Sequence, residues 1–116
     1  MDPSLEQRIR RLYADFNARN ADAVLAQMTA DVDWPNGWEG GRVCGQGEVR
    51  EYWQRQWAEI EATVEPTAFE RRPDESVAVS VHQVVRNKDG ALLSEQDLRH
   101  VYVFRNDLIA AMSIEE

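Results

Sequence analysis

The chain has 116 residues, a length that fits one domain built around a single hydrophobic core. Its 21 acidic residues outnumber its 13 basic residues, and the resulting formal charge of −8 repels the phosphates of nucleic acids and anionic lipid headgroups. We therefore expect no nucleic-acid partner and no membrane partner.

The first residues, "MDPSLEQRIRR", are charged and do not resemble a secretion signal. No stretch approaches the roughly 20 apolar residues that span a bilayer. The single Cys44 has no second cysteine for an internal disulfide and no nearby cysteine or histidine for a zinc site. These observations predict a cytoplasmic protein with no metal and no cofactor.

Apolar residues recur at helical spacing in three segments before residue 61, and each segment predicts an amphipathic helix. Asn20 can cap the second helix. The apolar stripes are Leu5, Ile9, Leu12 and Phe16 in the first helix, Val24, Leu25 and Met28 in the second, and Val49, Trp53, Trp57 and Ile60 in the third.

The remainder alternates with a period of two, which predicts strands at about 62–72, 76–86, 91–104 and 108–115, besides a short strand at 31–35. The segments "RRPDES", "NKDG" and "RND" are turn sequences that join antiparallel neighbours. Three helices followed by a meandering antiparallel sheet indicate an α+β fold with helices on one face of the sheet.

The segments "LYADFNARNADAVLAQMTADVDW" and "GQGEVREYW", with the order of elements, resemble the nuclear-transport-factor-2-like superfamily, including its ketosteroid-isomerase-like and SnoaL-like polyketide-cyclase families. The likeness spans nearly the whole chain, so we expect residues 1–116 to form one domain. It implies a strongly curved, mainly antiparallel sheet that encloses a conical pocket. It also implies a homodimer formed through the convex face of the sheet.

Strand alternation divides the sheet into two faces. The more aromatic face is assigned to the pocket and the mixed face to the dimer contact. The pocket set is Val77, Val79, Val81, Gln83, Leu98, His100, Tyr102, Phe104, Ile109, Ala111 and Ser113; the other set is Ser80, His82, Val84, Asp97, Arg99, Val101, Val103, Leu108, Ala110 and Met112. A bulge or a three-residue hairpin loop would exchange the two sets.

An aromatic wall with a few polar groups is typical of a site for a small apolar molecule. In the first strand Trp34 points inward, whereas Asp31 and Asp33 point outward. The predicted ligand-binding residues are Phe16, Trp34, Trp38, Trp53, Trp57, Gln83 and Tyr102. The alternative is that the tryptophans fill an ordinary core.

The resemblance also implies three catalytic positions: a carboxylate base after the first strand, a tyrosine on helix one and a buried acid on the third long strand. Those positions carry Asn36, Tyr13 and His100. Asn36 departs from the family, because an amide cannot accept a proton at neutral pH. The register of helix one points Leu12 inward, with Tyr13 one residue further round the helix.

His100 is the most informative residue, because an imidazole in an apolar pocket titrates near neutrality and can act as base, acid or hydrogen-bond donor. The alternative is a buried neutral histidine satisfied by the backbone or by a tyrosine. His82 falls on the other face, which favours a dimer contact over a ligand contact.

Three functions follow from these patterns. The first is a cofactor-independent acid–base enzyme, of isomerase, cyclase or dehydratase type, acting on a hydrophobic carbonyl compound. The second is a binder or carrier of a small apolar molecule without catalysis. The third is a dimeric interaction module.

Overall fold

The computed structural model of the protein describes residues 2–116. Its elements are α1 (Pro3–Asn17), α2 (Ala21–Leu25), β1 (Met28–Pro35), β2 (Arg42–Cys44), α3 (Gln46–Glu59), β3 (Ile60–Arg71), β4 (Val77–Asn87), β5 (Leu92–Arg105) and β6 (Leu108–Glu115). The strands form a single sheet in the order β2-β1-β6-β5-β4-β3, in which only the β1–β6 pair is parallel. The helices pack on this curled, unclosed sheet, which confirms the predicted α+β architecture.

Helix α1 is capped by Asp2. The Asp2 carboxylate accepts a hydrogen bond from the Ser4 backbone N–H (2.9 Å), and Pro3 occupies the first turn, where a missing N–H costs nothing. Helix α2 is shorter than predicted. It ends at Leu25, and Met28 belongs to the start of β1 rather than to the apolar face of the helix.

Two further boundaries differ from the sequence prediction. Ile60 was assigned to the third helix, but its backbone is extended (φ −136°, ψ 162°) and it begins β3. The short strand β2 was not predicted, because three residues in a glycine-rich bend carry too little alternation to be recognised. Gly45 ends that bend with φ 87°, a conformation that favours glycine.

The register between β4 and β5 pairs Val79 with His100 and Val81 with Leu98. These residues therefore share the face of the sheet that the helices cover, as predicted. Irregularities at Pro66/Ala68 in β3, at Val85/Arg86 in β4 and at Val103/Phe104 in β5 interrupt the ladders, and such bulges bend a sheet.

The predicted facing of β6 is wrong beyond Ile109. Phe104 pairs with Ile109 and Val103 pairs with Ala111, so that Ala110 is an extra residue. The extra residue reverses the alternation. Met112, assigned to the outer face, is 3% exposed and lies on the inner face; Ile114, which is 38% exposed, shares that face, whereas Ala111 and Ser113 leave it.

The Asn17 side chain of helix α1 is hydrogen-bonded to the backbone of the edge strand β3. The Asn17 Nδ2–H donates to the Val64 carbonyl oxygen (2.9 Å), and Asn17 Oδ1 accepts from the Val64 N–H (2.9 Å). The amide thus satisfies backbone groups that an edge strand would otherwise leave open. None of the helices within residues 2–116 combines the length and the apolarity that a bilayer crossing needs.

Candidate ligand-binding site

A cavity of about 300 Å³ lies between the helices and the concave face of the sheet. Its aromatic wall comes from three elements: Phe16 on α1, Trp34 on β1, and Tyr52 and Trp53 on α3. The sheet supplies apolar side chains such as Leu98 and Met112. The cavity is large enough for a ring compound, and its lining combines these apolar side chains with polar ones: Tyr52, Gln56, Gln83, Gln96, His100 and Glu116.

The aromatic wall is held by ring-to-ring contacts. Trp34 meets Trp53 edge-on at a centroid distance of 5.8 Å, and Phe16 meets Trp53 edge-on at 5.4 Å. Trp57, which the sequence placed in the wall, does not line the cavity; it stacks on Trp53 at 5.7 Å instead. Trp57 lies one turn further along α3 and supports the wall from behind.

Three polar side chains form a buried hydrogen-bond chain beside the cavity. The Tyr102 hydroxyl donates to the Tyr13 hydroxyl oxygen (2.7 Å), and the Tyr13 hydroxyl lies 2.8 Å from His100 Nδ1. All three residues are less than 7% exposed. Helix α1 therefore buries Tyr13 as well as Leu12, although the sequence register pointed only Leu12 inward.

Burial shifts the pKa values of the three side chains in this hydrogen-bond chain. It lowers the pKa of His100 to about 4, because the charged imidazolium loses its hydration, and it raises the pKa of Tyr13 and of Tyr102. All three groups are therefore uncharged at neutral pH. His100 matches the alternative of a neutral histidine satisfied by a tyrosine, rather than one that titrates near neutrality.

One arrangement of this hydrogen-bond chain leaves a donor on the imidazole for the cavity. When Tyr102 donates to the Tyr13 oxygen, the Tyr13 hydroxyl donates to Nδ1 of His100, and the neutral ring carries its proton on Nε2. His100 lines the cavity. Its Nε2–H is thus a neutral donor available to an acceptor oxygen in the cavity.

A second void of about 40 Å³ lies behind the main cavity. Tyr13 and Tyr102 line this inner void and are absent from the lining of the main cavity. His100, Phe16 and Trp53 line both, so they separate the two spaces.

Asn36 is buried, but its side chain is used within the loop that follows β1. Its Oδ1 accepts from the Glu39 N–H (2.7 Å) and the Trp38 N–H (3.3 Å), while its Nδ2–H donates to the Glu39 carboxylate (2.9 Å). Arg55 of α3 binds the same carboxylate at 2.8 Å. Trp38 is 37% exposed. Asn36 and Trp38 do not line the cavity, and Glu39 is held by these partners.

The protein family described as "SnoaL-like domain" matches residues 9–112 of the chain. The chain belongs to this family. The match covers most of the chain and confirms the resemblance drawn from the sequence. No curated protein gave a significant match.

Solved structures share the fold of this SnoaL-like chain at low identity. An NTF2-like protein of unknown function from Burkholderia pseudomallei K96243 is 24% identical, with a TM-score of 0.84 over 99% of this chain and 91% of that chain. The epoxide hydrolase/cyclase-like enzyme SalBIII, of pyran ring formation in the polyether salinomycin, is 18% identical, with a TM-score of 0.80 over 97% and 89%. RV0760c from Mycobacterium tuberculosis, in complex with estradiol-17beta-hemisuccinate, is 19% identical, with a TM-score of 0.76 over 90% and 87%.

His82 lies on the opposite face of the SnoaL-like sheet, as the sequence predicted. Its Nδ1 is 2.8 Å from Asp97 and its Nε2 is 2.8 Å from Glu95. The hydrogen bonds to these carboxylates raise the pKa of His82, and the bond to Asp97 has the larger effect. The role of His82 in a dimer contact remains a prediction.

Sequence reasoning missed several cavity residues. Tyr52 and Gln56 share the inner face of α3 with Val49 and Trp53, and Gln96 has the same alternation as Leu98, so these three were within reach of the sequence pattern. The inward position of Met112 depends on the bulge in β6, which the local sequence does not reveal.

We predict that the free energy of unfolding falls between about pH 6.5 and pH 4 because His100 stays neutral when folded. In this range the unfolded chain binds a proton that the folded chain does not, so acid favours unfolding, by about 3 kcal/mol at most. Urea unfolding as a function of pH measures the effect. His100→Leu should reduce this loss.

His82→Ala is the matched control, since His82 is exposed and its pKa is raised. Its contribution is present at low pH and is lost as pH rises, so its removal should leave the acid-side loss in place. Equal acid dependence in the wild type and in His100→Leu would contradict the assignment.

Proposed function

We propose that this protein binds a small, largely apolar carbonyl compound whose oxygen accepts a hydrogen bond from His100 Nε2–H. The observation that carries the proposal is the neutral imidazole, fixed by Tyr13, at the wall of an aromatic cavity of about 300 Å³. An apolar pocket with a few oriented polar groups suits such a ligand. RV0760c, which shares the fold, was crystallised with a steroid hemisuccinate.

The first candidate activity is cofactor-independent acid–base chemistry on that carbonyl compound, of isomerase, cyclase or dehydratase type. A donor aimed at a carbonyl oxygen stabilises the negative charge that develops there when hydroxide or another base from the solvent removes a neighbouring proton. His100 is the catalytic donor in this proposal, and Tyr13 holds it. SalBIII, with the same fold, is described as an epoxide hydrolase/cyclase-like enzyme.

The second candidate is a binder or carrier without catalysis. It is favoured by the residue after β1, where the resemblance implies a carboxylate base. Asn36 stands there, and both ends of its amide are hydrogen-bonded within the loop. The catalytic role that the resemblance implies for the Asn36 position belongs only to the first candidate, the enzyme. Trp38 and Trp57 have a ligand contact only if the loop or α3 rearranges around the ligand.

A binding experiment tests the carbonyl contact. Calorimetric dissociation constants are measured for para-acetylbiphenyl and para-ethylbiphenyl, which differ in the carbonyl oxygen. We expect His100→Leu to weaken the ketone relative to the hydrocarbon by roughly tenfold, because the buried oxygen loses its donor. Tyr13→Phe should give a smaller loss in the same direction, and Tyr102→Phe a smaller loss still. A ratio that is the same in the wild type and in His100→Leu would refute the contact.

An exchange experiment separates enzyme from carrier. In deuterium oxide, the protein is expected to accelerate deuterium incorporation into the acetyl methyl group of para-acetylbiphenyl by at least about tenfold, because a donor at the oxygen stabilises the enolate. Proton NMR follows the methyl signal, with His100→Leu as the inactive comparison. Saturable binding with exchange at the buffer rate would establish the carrier instead.

We also propose that the chain is a single cytoplasmic domain that forms a homodimer through the convex face of the sheet, where Val103 is 49% exposed. Light scattering should give twice the monomer mass for the wild type, and Val103→Glu should give the monomer. Leu93→Glu is the control, since Leu93 is 55% exposed near the β4–β5 turn. A monomeric wild type at micromolar concentration would end this proposal.

A further inference from the structure

Two glutamines lie side by side on the cavity face of the sheet. Gln83 on β4 is the register partner of Gln96 on β5, and both line the cavity that His100 lines. Gln83 is half-buried and Gln96 is exposed, which places the pair toward the solvent side of the cavity. Residues 2–116 give neither amide a hydrogen-bond partner, and each amide offers a donor and an acceptor.

The pair stands at a fixed distance from His100. Four residues separate Gln96 from His100 on β5, so about 13 Å of extended strand lies between them. Val81 and Leu98, themselves register partners, occupy the interval on the same face and are buried. Along the sheet wall, the cavity therefore has polar side chains near each end and apolar side chains between them, while Tyr52 and Gln56 add polar groups on the α3 side.

The charge of the lining constrains what meets the glutamines. Among the residues in the described part of the chain that line the cavity, Glu116 is acidic and none is a lysine or an arginine. An anion placed in such a cavity would lose hydration without gaining a cationic partner. Amides without a neighbouring cation suit an uncharged hydroxyl or carbonyl group.

We propose that Gln83 and Gln96 form a second polar subsite, which binds an uncharged oxygen function at the end of the ligand remote from His100. The inference rests on the proposed function, since it takes His100 as the site of the first oxygen. The ligand class is an elongated, neutral ring compound with one oxygen function at each end. Gln83 and Gln96 then determine specificity, and His100 meets the reacting carbonyl.

Calorimetry with a matched pair of probes tests this subsite. The probes are para-acetylbiphenyl and the same molecule with a para′ hydroxyl group at its far end. The quantity of interest is the ratio of their dissociation constants, because any general effect of a substitution on the pocket cancels in that ratio. We expect Gln83→Leu and Gln96→Leu each to reduce the preference for the hydroxylated probe by about threefold to tenfold.

Gln54→Leu is the control, since Gln54 is an exposed glutamine of α3 that does not line the cavity, and it should leave the ratio unchanged. A para′ carboxylate probe tests the charge argument and should bind more weakly than the hydroxylated probe. Urea unfolding of each variant verifies that it is folded.

The outcomes separate the two proposals. If both neutral probes bind but the ratio is the same in the wild type and in the glutamine variants, the subsite is refuted and the His100 contact stands. If neither probe binds the wild type, the proposed function fails and the subsite fails with it. Tighter binding of the carboxylate would overturn the uncharged ligand class.

Discussion

Two hydrogen bonds, from Tyr102 to Tyr13 and from Tyr13 to His100, join helix α1 to strand β5 inside an apolar surrounding. A buried hydroxyl or imidazole without a partner is costly, so each of these groups restricts where the others can lie. The restriction places the helix over the sheet at one height and one rotation. It also holds the imidazole at the boundary between the main cavity and the small void behind it.

The aromatic side chains keep the space beside that chain open. Phe16 and Trp34 each meet Trp53 edge-on, and Trp57 stacks on Trp53. Rings of this size have few rotamers, and none can turn into the cavity without breaking a contact with its neighbour. Arg19 adds a further tie, because it lies over the Trp57 ring and donates to the Ala62 carbonyl oxygen of β3 (2.7 Å).

The sequence predicted the features that depend on local periodicity. The helical stripes gave α1 and α3, and the alternation in β4 and β5 put His100 on the inner face beside Val79. It did not give the bond between Tyr13 and His100, which are 87 residues apart, because the apolar face of α1 is wide enough to bury both Leu12 and Tyr13. The lengths of α2 and β2 and the facing of Met112 depend on pairing with distant strands, which a local pattern does not contain.

The extra residue in β6 sets how this wall tolerates changes in chain length. Ala110 and Ala111 together stand opposite Val103, while Ile109 and Met112 keep their inward partners on either side. Deletion of Ala110 would straighten the strand and leave every inward side chain opposite the same neighbour on β5. A deletion at this position therefore alters the bend of the sheet rather than the identity of its lining. It offers evolution and protein engineering a way to reshape the chamber without replacing a wall residue.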